Sequence, residues 1–137
     1  MSEMLVRGKS IESEVWIEGF YVHLYDDKGN ESHRIYTGYA ETDCGDYYPD
    51  WYEIDPTTLG RSTGLKDVHG RTVVEDDIGQ SIDGIFLVRW SEEKCAFVMN
   101  FYSYSEENEE LYLEEMWDDA EIIGNIHDNP ELLKACQ

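Results

Sequence analysis

The sequence predicts a mostly β protein, and three observations carry the prediction. Tyr and Trp are abundant, ten and four in 137 residues, and flat, rigid side chains suit a pleated, half-buried surface. Apolar and polar residues alternate over short runs such as Glu14 to Tyr25, which is the period of a strand with one buried face. Clusters of Asp, Asn and Gly separate those runs and read as turns. A hydrophobic content of 41% over this length fits one domain with a single core.

Met4 to Lys9 reads as an opening strand with a basic edge, Arg7-Gly8-Lys9. Glu14 to Tyr25 changes phase at Gly19, which predicts either two strands or one bulged strand. Asp26-Asp27-Lys28-Gly29-Asn30 is a hairpin turn, because Gly takes a positive φ cheaply and Asp and Asn bond the backbone. Ser32 to Thr37 is the returning strand. Gly38 to Pro49 mixes turn formers, carboxylates and aromatics, and is predicted to be a long loop leading into a short strand at Trp51 to Ile54. Asp55-Pro56-Thr57-Thr58 reads as a turn.

Ser62 to Gly79 organises the rest. It reads as a strand end, a tight Asp67-x-x-Gly70 turn, a short apolar segment and an acidic turn. Ile82 to Trp90 and Lys94 to Tyr104 then form a hairpin through Ser91-Glu92-Glu93. The nearly continuous apolar run Ala96 to Tyr102 predicts a strand buried on both faces. Glu109 to Trp117, inside the acidic run Glu106 to Asp119, fits neither the helical nor the strand period cleanly. Glu121 to Ile126 is a short strand. Asn129 as N-cap and Pro130 at the first helical position open a C-terminal helical turn.

The formal charge is −21, from 31 acidic and ten basic residues. Such a field repels phosphate backbones, so direct nucleic-acid binding is not expected; it favours solubility and basic partners. The same charge fits a second reading, an acidic mimic of nucleic acid that inhibits a host DNA-binding protein. Cys44, Cys95 and Cys136 are far apart and form no C-x-x-C pair, so neither a zinc nor a redox motif is indicated. Cys95 reads as a small buried hydrophobe beside the apolar run. The first residues lack a basic and then apolar leader, and no apolar run approaches membrane-spanning length. A soluble, cytoplasmic protein without membrane contact is expected.

No Gly-x-Ser-x-Gly elbow, phosphate-binding Gly loop or Cys with a nearby His is present. His23, His33, His69 and His127 sit in separate segments without ligand spacing, so no metal site and no cofactor is expected. Asp43, Asp46, Asp50, Glu53 and Asp55 carry the oxygens that Ca²⁺ or Mg²⁺ takes, but EF-hand spacing is absent and a solvated acidic loop is the default. An enzyme is not expected. Tyr47, Tyr48, Trp51 and Tyr52 are the candidate partner-binding residues, since Trp and Tyr are the usual anchors of protein interfaces. The other reading of these aromatics is that they close one end of the core. The expected partner is a second copy of the chain or another protein.

Two stretches carry a family resemblance. Thr63-Gly64-Leu65-Lys66-Asp67-x-x-Gly70-Arg71-x-Val73-x-Glu75-x-Asp77-Ile78 resembles the signature of the YopX family of phage and prophage proteins. Ile123-Gly124-Asn125-Ile126-His127-Asp128-Asn129-Pro130-Glu131-Leu132-Leu133 is similar to that family's ending, and Arg7-Gly8-Lys9 and Trp16-Ile17-Glu18-Gly19 also fit. One position departs: Asp76 stands where the family usually has Gly, and Asp tolerates a positive φ better than most residues. The resemblance implies an SH3-like small barrel core with additional strands and a short C-terminal helix. It also implies a phage or prophage origin, so that a partner other than a second copy would be a host or phage protein, and it implies no activity. On this reading residues 1–137 are a single YopX-like domain, with N-terminal strands and the aromatic loop in 1–60. The signature hairpin, barrel core and C-terminal segment occupy 61–137.

Overall fold

The computed structural model describes residues 5–82, 84–101, 109–113 and 119–134. In chain order the strands are β1 (Val6–Ser10), β2 (Trp16–Tyr25), β3 (Glu31–Glu41), β4 (Tyr47–Lys66), β5 (Thr72–Val74), β6 (Asp77–Ser81), β7 (Gly84–Ser91), β8 (Ala96–Phe101), β9 (Glu109–Tyr112) and β10 (Glu121–Asn125), followed by helix α1 (Glu131–Lys134). The protein is mostly β, with two antiparallel sheets and a short C-terminal helix, as its turn and alternation patterns predict. Two compact units divide the chain, Met1–Arg61 and Ser62–Gln137.

In the first unit the strands close on themselves. β1 pairs antiparallel with both β2 and β4, so β1, β2, β3 and β4 form a ring. The β2–β3 hairpin turns at the predicted place. Asp26 N donates to Asn30 O at 3.0 Å, Gly29 takes a φ of 83°, and the Asp26 carboxylate accepts the Lys28 and Asn30 N–H groups. The expected interruption at Gly19 does not break the strand. β2 runs through it, and pairing passes there from β1 (Val6 opposite Gly19) to β3 (Phe20 opposite Tyr36). A Cβ on Gly19 would run into the Tyr36 carbonyl oxygen, so the missing side chain is what lets β2 and β3 approach. Ile35 and Ile54 are fully buried in this unit.

The long loop expected over Gly38 to Pro49 is instead a hairpin. β3 continues to Glu41 and β4 begins at Tyr47, with Tyr39 opposite Pro49 and Glu41 opposite Tyr47. The turn formers are confined to Thr42–Asp46, where Thr42 N donates to Asp46 O at 2.7 Å and Gly45 has a φ of 84°. The flanking aromatics are strand formers and extend the ladder on both sides. The turn expected at Asp55–Thr58 is absorbed into β4 as an irregularity. Against β1 the register slips between Arg7 opposite Gly60 and Lys9 opposite Asp55. Its turn chemistry survives: Asp55 Oδ1 accepts Thr57 N at 3.0 Å, and the Thr58 hydroxyl donates to Asp55 O at 2.6 Å.

The second unit carries a five-stranded sheet in the order β10-β6-β7-β8-β9, and β5 pairs with the end of β4. Its core gathers Val73, Phe86, Val88, Met99, Phe101, Leu113 and Ala120. Burying one side chain the size of Phe86 contributes roughly 1.5–3 kcal/mol. Val98, Met99, Asn100 and Phe101 are consecutive and all buried, the two-sided burial predicted for β8. Cys95 departs from expectation. It is exposed, with a φ of 50°, in the β7–β8 turn, because the chain reverses one residue before the apolar run begins. Residues 109–112 of the ambiguous acidic stretch form a strand. Its remainder at 106–108 and 114–118, together with Met4, residues 102–104 and Cys136, lies outside the described residues. Ahead of α1, Asn129 O accepts Leu132 N at 3.1 Å, while the Asn129 side-chain oxygen accepts Asn125 N at 3.3 Å. Among the described residues no helix is long and apolar enough to cross a membrane.

Candidate functional site

Strand alternation divides the four aromatics singled out in the sequence. Tyr47 and Trp51 lie on one face of β4, and Tyr48 and Tyr52 on the other. The register decides what joins each pair. Trp51 is opposite Tyr36, which is opposite Phe20, and Tyr47 neighbours Tyr39 across the β3–β4 ladder. The outer face of the ring therefore presents Phe20 (60% exposed), Tyr39 (76%), Tyr47 (72%) and Trp51 (40%). The Arg34 guanidinium stacks 3.8 Å above the Trp51 ring and donates to the Tyr36 hydroxyl at 3.3 Å. Glu18, Glu41 and Glu53 fall on the same face by alternation and are exposed. Tyr48 and Tyr52 share the face of the buried Ile54 but are themselves about as exposed as Trp51. Sequence reasoning missed Phe20 and Tyr39, since each becomes part of a patch only through pairing with a distant strand.

A second constellation sits near the tip of the β2–β3 hairpin. His23 is directly opposite His33, and Glu31 is two residues before His33 on the same face. His23 Nε2 is 3.3 Å from Glu31 Oε1, and the two imidazole rings stack with centroids 4.2 Å apart. The Tyr21 hydroxyl meets His33 Nδ1 at 2.5 Å. Partial burial, with Glu31 and Tyr25 nearby, raises the Tyr21 hydroxyl above its ordinary range. One donor atom from each of His23, Glu31 and His33 lies within 4.8 Å of the others, and among the described residues this is the group of metal-ligating side chains that converges. The acidic series Asp43 to Asp55 does not converge; its members are strung along the β3–β4 turn and β4.

In the second unit the signature turn is held by one buried carboxylate. Asp67 Oδ1 accepts His69 N at 2.9 Å and Arg71 N at 2.8 Å, and Oδ2 accepts Ile122 N at 2.9 Å from β10. Burial alone would raise its pKa, but the hydrogen bonds from Ile122, Arg71 and His69, with the His69 ring nearby, hold it below the usual Asp value. Asp76 takes a φ of 72°, a left-handed conformation that Asp tolerates better than most residues. Its N–H donates to Val88 O at 2.8 Å and its carbonyl accepts Ile126 N at 3.0 Å. An open groove in this unit is lined by Leu65, Trp90, Phe97 and Tyr112, with Trp90 and Phe97 edge to face at 5.1 Å.

These features define a mostly β protein in which a closed four-strand ring and a five-strand sheet carry short connecting turns. The chain belongs to the YopX protein family, which it matches over residues 7–134. A search of curated proteins found no match to it.

Proposed function

We propose that this protein is a non-enzymatic interaction module that self-associates through the outer aromatic face of its four-strand ring. The single observation behind the reading is that Phe20, Tyr39, Tyr47 and Trp51 lie exposed on one continuous strand surface. Large exposed aromatic patches mark interaction sites, and Tyr, Trp and Arg are the side chains that most often anchor them. A second copy is the favoured occupant because the face carries both signs of charge. Arg34 lies over Trp51 amid Glu18, Glu41 and Glu53, which suits a two-fold contact in which each copy meets the other's identical patch. The family resemblance supports a phage or prophage origin and action in the host cytoplasm.

The test is sedimentation of the wild-type protein beside a Tyr39→Ser, Tyr47→Ser double variant. Both side chains are well exposed, so the variant is expected to keep wild-type stability and lose association. Equal association of the two proteins overturns the reading, as does a monomeric wild type at every concentration. Tyr48→Ser, on the other face of β4, is expected to leave association unchanged.

A further inference from the structure

We propose that the β2–β3 hairpin tip binds a divalent transition-metal ion, preferentially Zn²⁺, through His23, Glu31 and His33. The three side chains offer donor atoms within 4.8 Å of one another. The 3.3 Å between His23 Nε2 and Glu31 Oε1 is the edge of a tetrahedron whose metal–ligand bonds are about 2.0–2.1 Å, an edge of roughly 3.3 Å. Two imidazoles and one carboxylate make a three-ligand zinc set with the fourth position open to water. Imidazole nitrogens select such ions over Mg²⁺ and Ca²⁺, which prefer oxygen.

The hairpin brings the three side chains together before any ion arrives. His23 and His33 are paired directly across the ladder, two residue pairs beyond Tyr21 and the buried Ile35 and on the same face. Their rings stack nearly parallel, so one must turn about its side-chain bonds to aim its nitrogen at a shared ion, while the Tyr21 hydroxyl engages His33 Nδ1 and leaves Nε2 for the metal. A hydrogen bond of this kind orients a metal-binding imidazole. His23 and Glu31 are exposed, so an ion has a direct route in. The other two close His–carboxylate pairs, His69 with Glu121 at 3.0 Å and His127 with Asp76 at 3.5 Å, each have a single imidazole. Neither belongs to a converging group of three among the described residues. The site lies on the face of β2 and β3 opposite the aromatic patch, so it stands independently of self-association.

The experiment is calorimetric titration of the full chain with Zn²⁺ in excess Mg²⁺, which occupies the surface carboxylates, together with Co²⁺ absorption. One Zn²⁺ per chain and the visible bands of four-coordinate Co²⁺ are expected. Removing an outer-sphere partner of a metal ligand typically weakens binding about 10–100-fold. His23→Gln, His33→Gln and Glu31→Gln, which remove ligands, are each expected to weaken it at least tenfold, and Tyr21→Phe by about tenfold, the low end of that range. His69→Gln is expected to have no effect. If His33→Gln fails to fold, the exposed His23→Gln and Glu31→Gln carry the test, with zinc-induced shifts of the His23 and His33 ring resonances in the wild type. Zinc binding that survives His23→Gln and Glu31→Gln unchanged overturns the proposal, as does the absence of a stoichiometric site.

Discussion

Replacing Asp67 by Asn removes one acceptor oxygen and leaves the side-chain shape nearly unchanged. The carboxylate now serves three backbone donors, His69 N and Arg71 N on one oxygen and Ile122 N on the other. An amide keeps one oxygen, which can serve either the turn or β10. Its NH₂ must then face the remaining N–H. If the oxygen stays with the two turn donors, the Ile122 N–H is left without an acceptor. An unsatisfied buried donor costs about 1–3 kcal/mol, and a hydrogen bond to a charged group is worth about 1.5–3 kcal/mol. His69 and Arg71 are exposed, so water can replace part of what their N–H groups lose. The expected net loss for Asp67→Asn is therefore roughly 1–3 kcal/mol. Urea unfolding at neutral pH measures it, and faster amide exchange at Ile122 locates it. The pH dependence has a definite sign. The folded pKa lies below the unfolded value, so the stabilisation is fully present above about pH 4, the unfolded Asp range, and is lost as pH falls through the folded pKa. The gap between wild type and Asp67→Asn should thus narrow as the solution is acidified from pH 4. A variant within about 0.5 kcal/mol of wild type at pH 7, the scatter of ordinary surface substitutions, refutes the reasoning.

Three further outcomes follow from the same structure. Gly19→Ala places a methyl group against the Tyr36 carbonyl oxygen, a backbone atom that cannot yield without disturbing β3, and should cost about 1–3 kcal/mol in thermal or urea unfolding. Asp76→Gly gives up the half-buried His127 pairing at 3.5 Å but takes the left-handed backbone without steric cost; the two effects oppose each other, and its unfolding free energy should stay within about 1 kcal/mol of wild type. Asp76→Val at the same φ should fall about 1–2 kcal/mol below Asp76→Gly, because a β-branched side chain is disfavoured in the left-handed region that Asp tolerates, and near-equality of the two variants would mean that the turn has relaxed.

What was legible in the sequence was local chemistry. The turn at Asp26–Asn30 was readable because Asp, Gly and Asn each had a separate reason to be there, and the Asp67-x-x-Gly70 turn for the same cause. The apolar run of β8 announced two-sided burial. What failed were inferences about where turn chemistry stops. Carboxylates and Gly between Gly38 and Pro49 suggested a loop, yet a five-residue turn is enough and the Tyr-rich flanks extend the ladder. At Asp55–Thr58 the turn bonds form without ending the strand. The aromatic patch was only half visible, because sequence proximity grouped Tyr47 with Tyr48 where the pleat separates them. The histidine pair was within reach. His23 and His33 each lie three positions outside the Asp26–Asn30 turn, so the hairpin alone sets them opposite each other.

Light scattering across a range of salt shows whether the outer aromatic face joins two copies of the chain. Each copy carries a formal charge of −21, so repulsion opposes an apolar self-contact and added salt relieves it by shortening the Debye length from about 30 Å at 0.01 M to about 3 Å at 1 M. A dimer is expected whose population grows with ionic strength and which Tyr39→Ser with Tyr47→Ser abolishes. A monomer at low and high salt alike contradicts it.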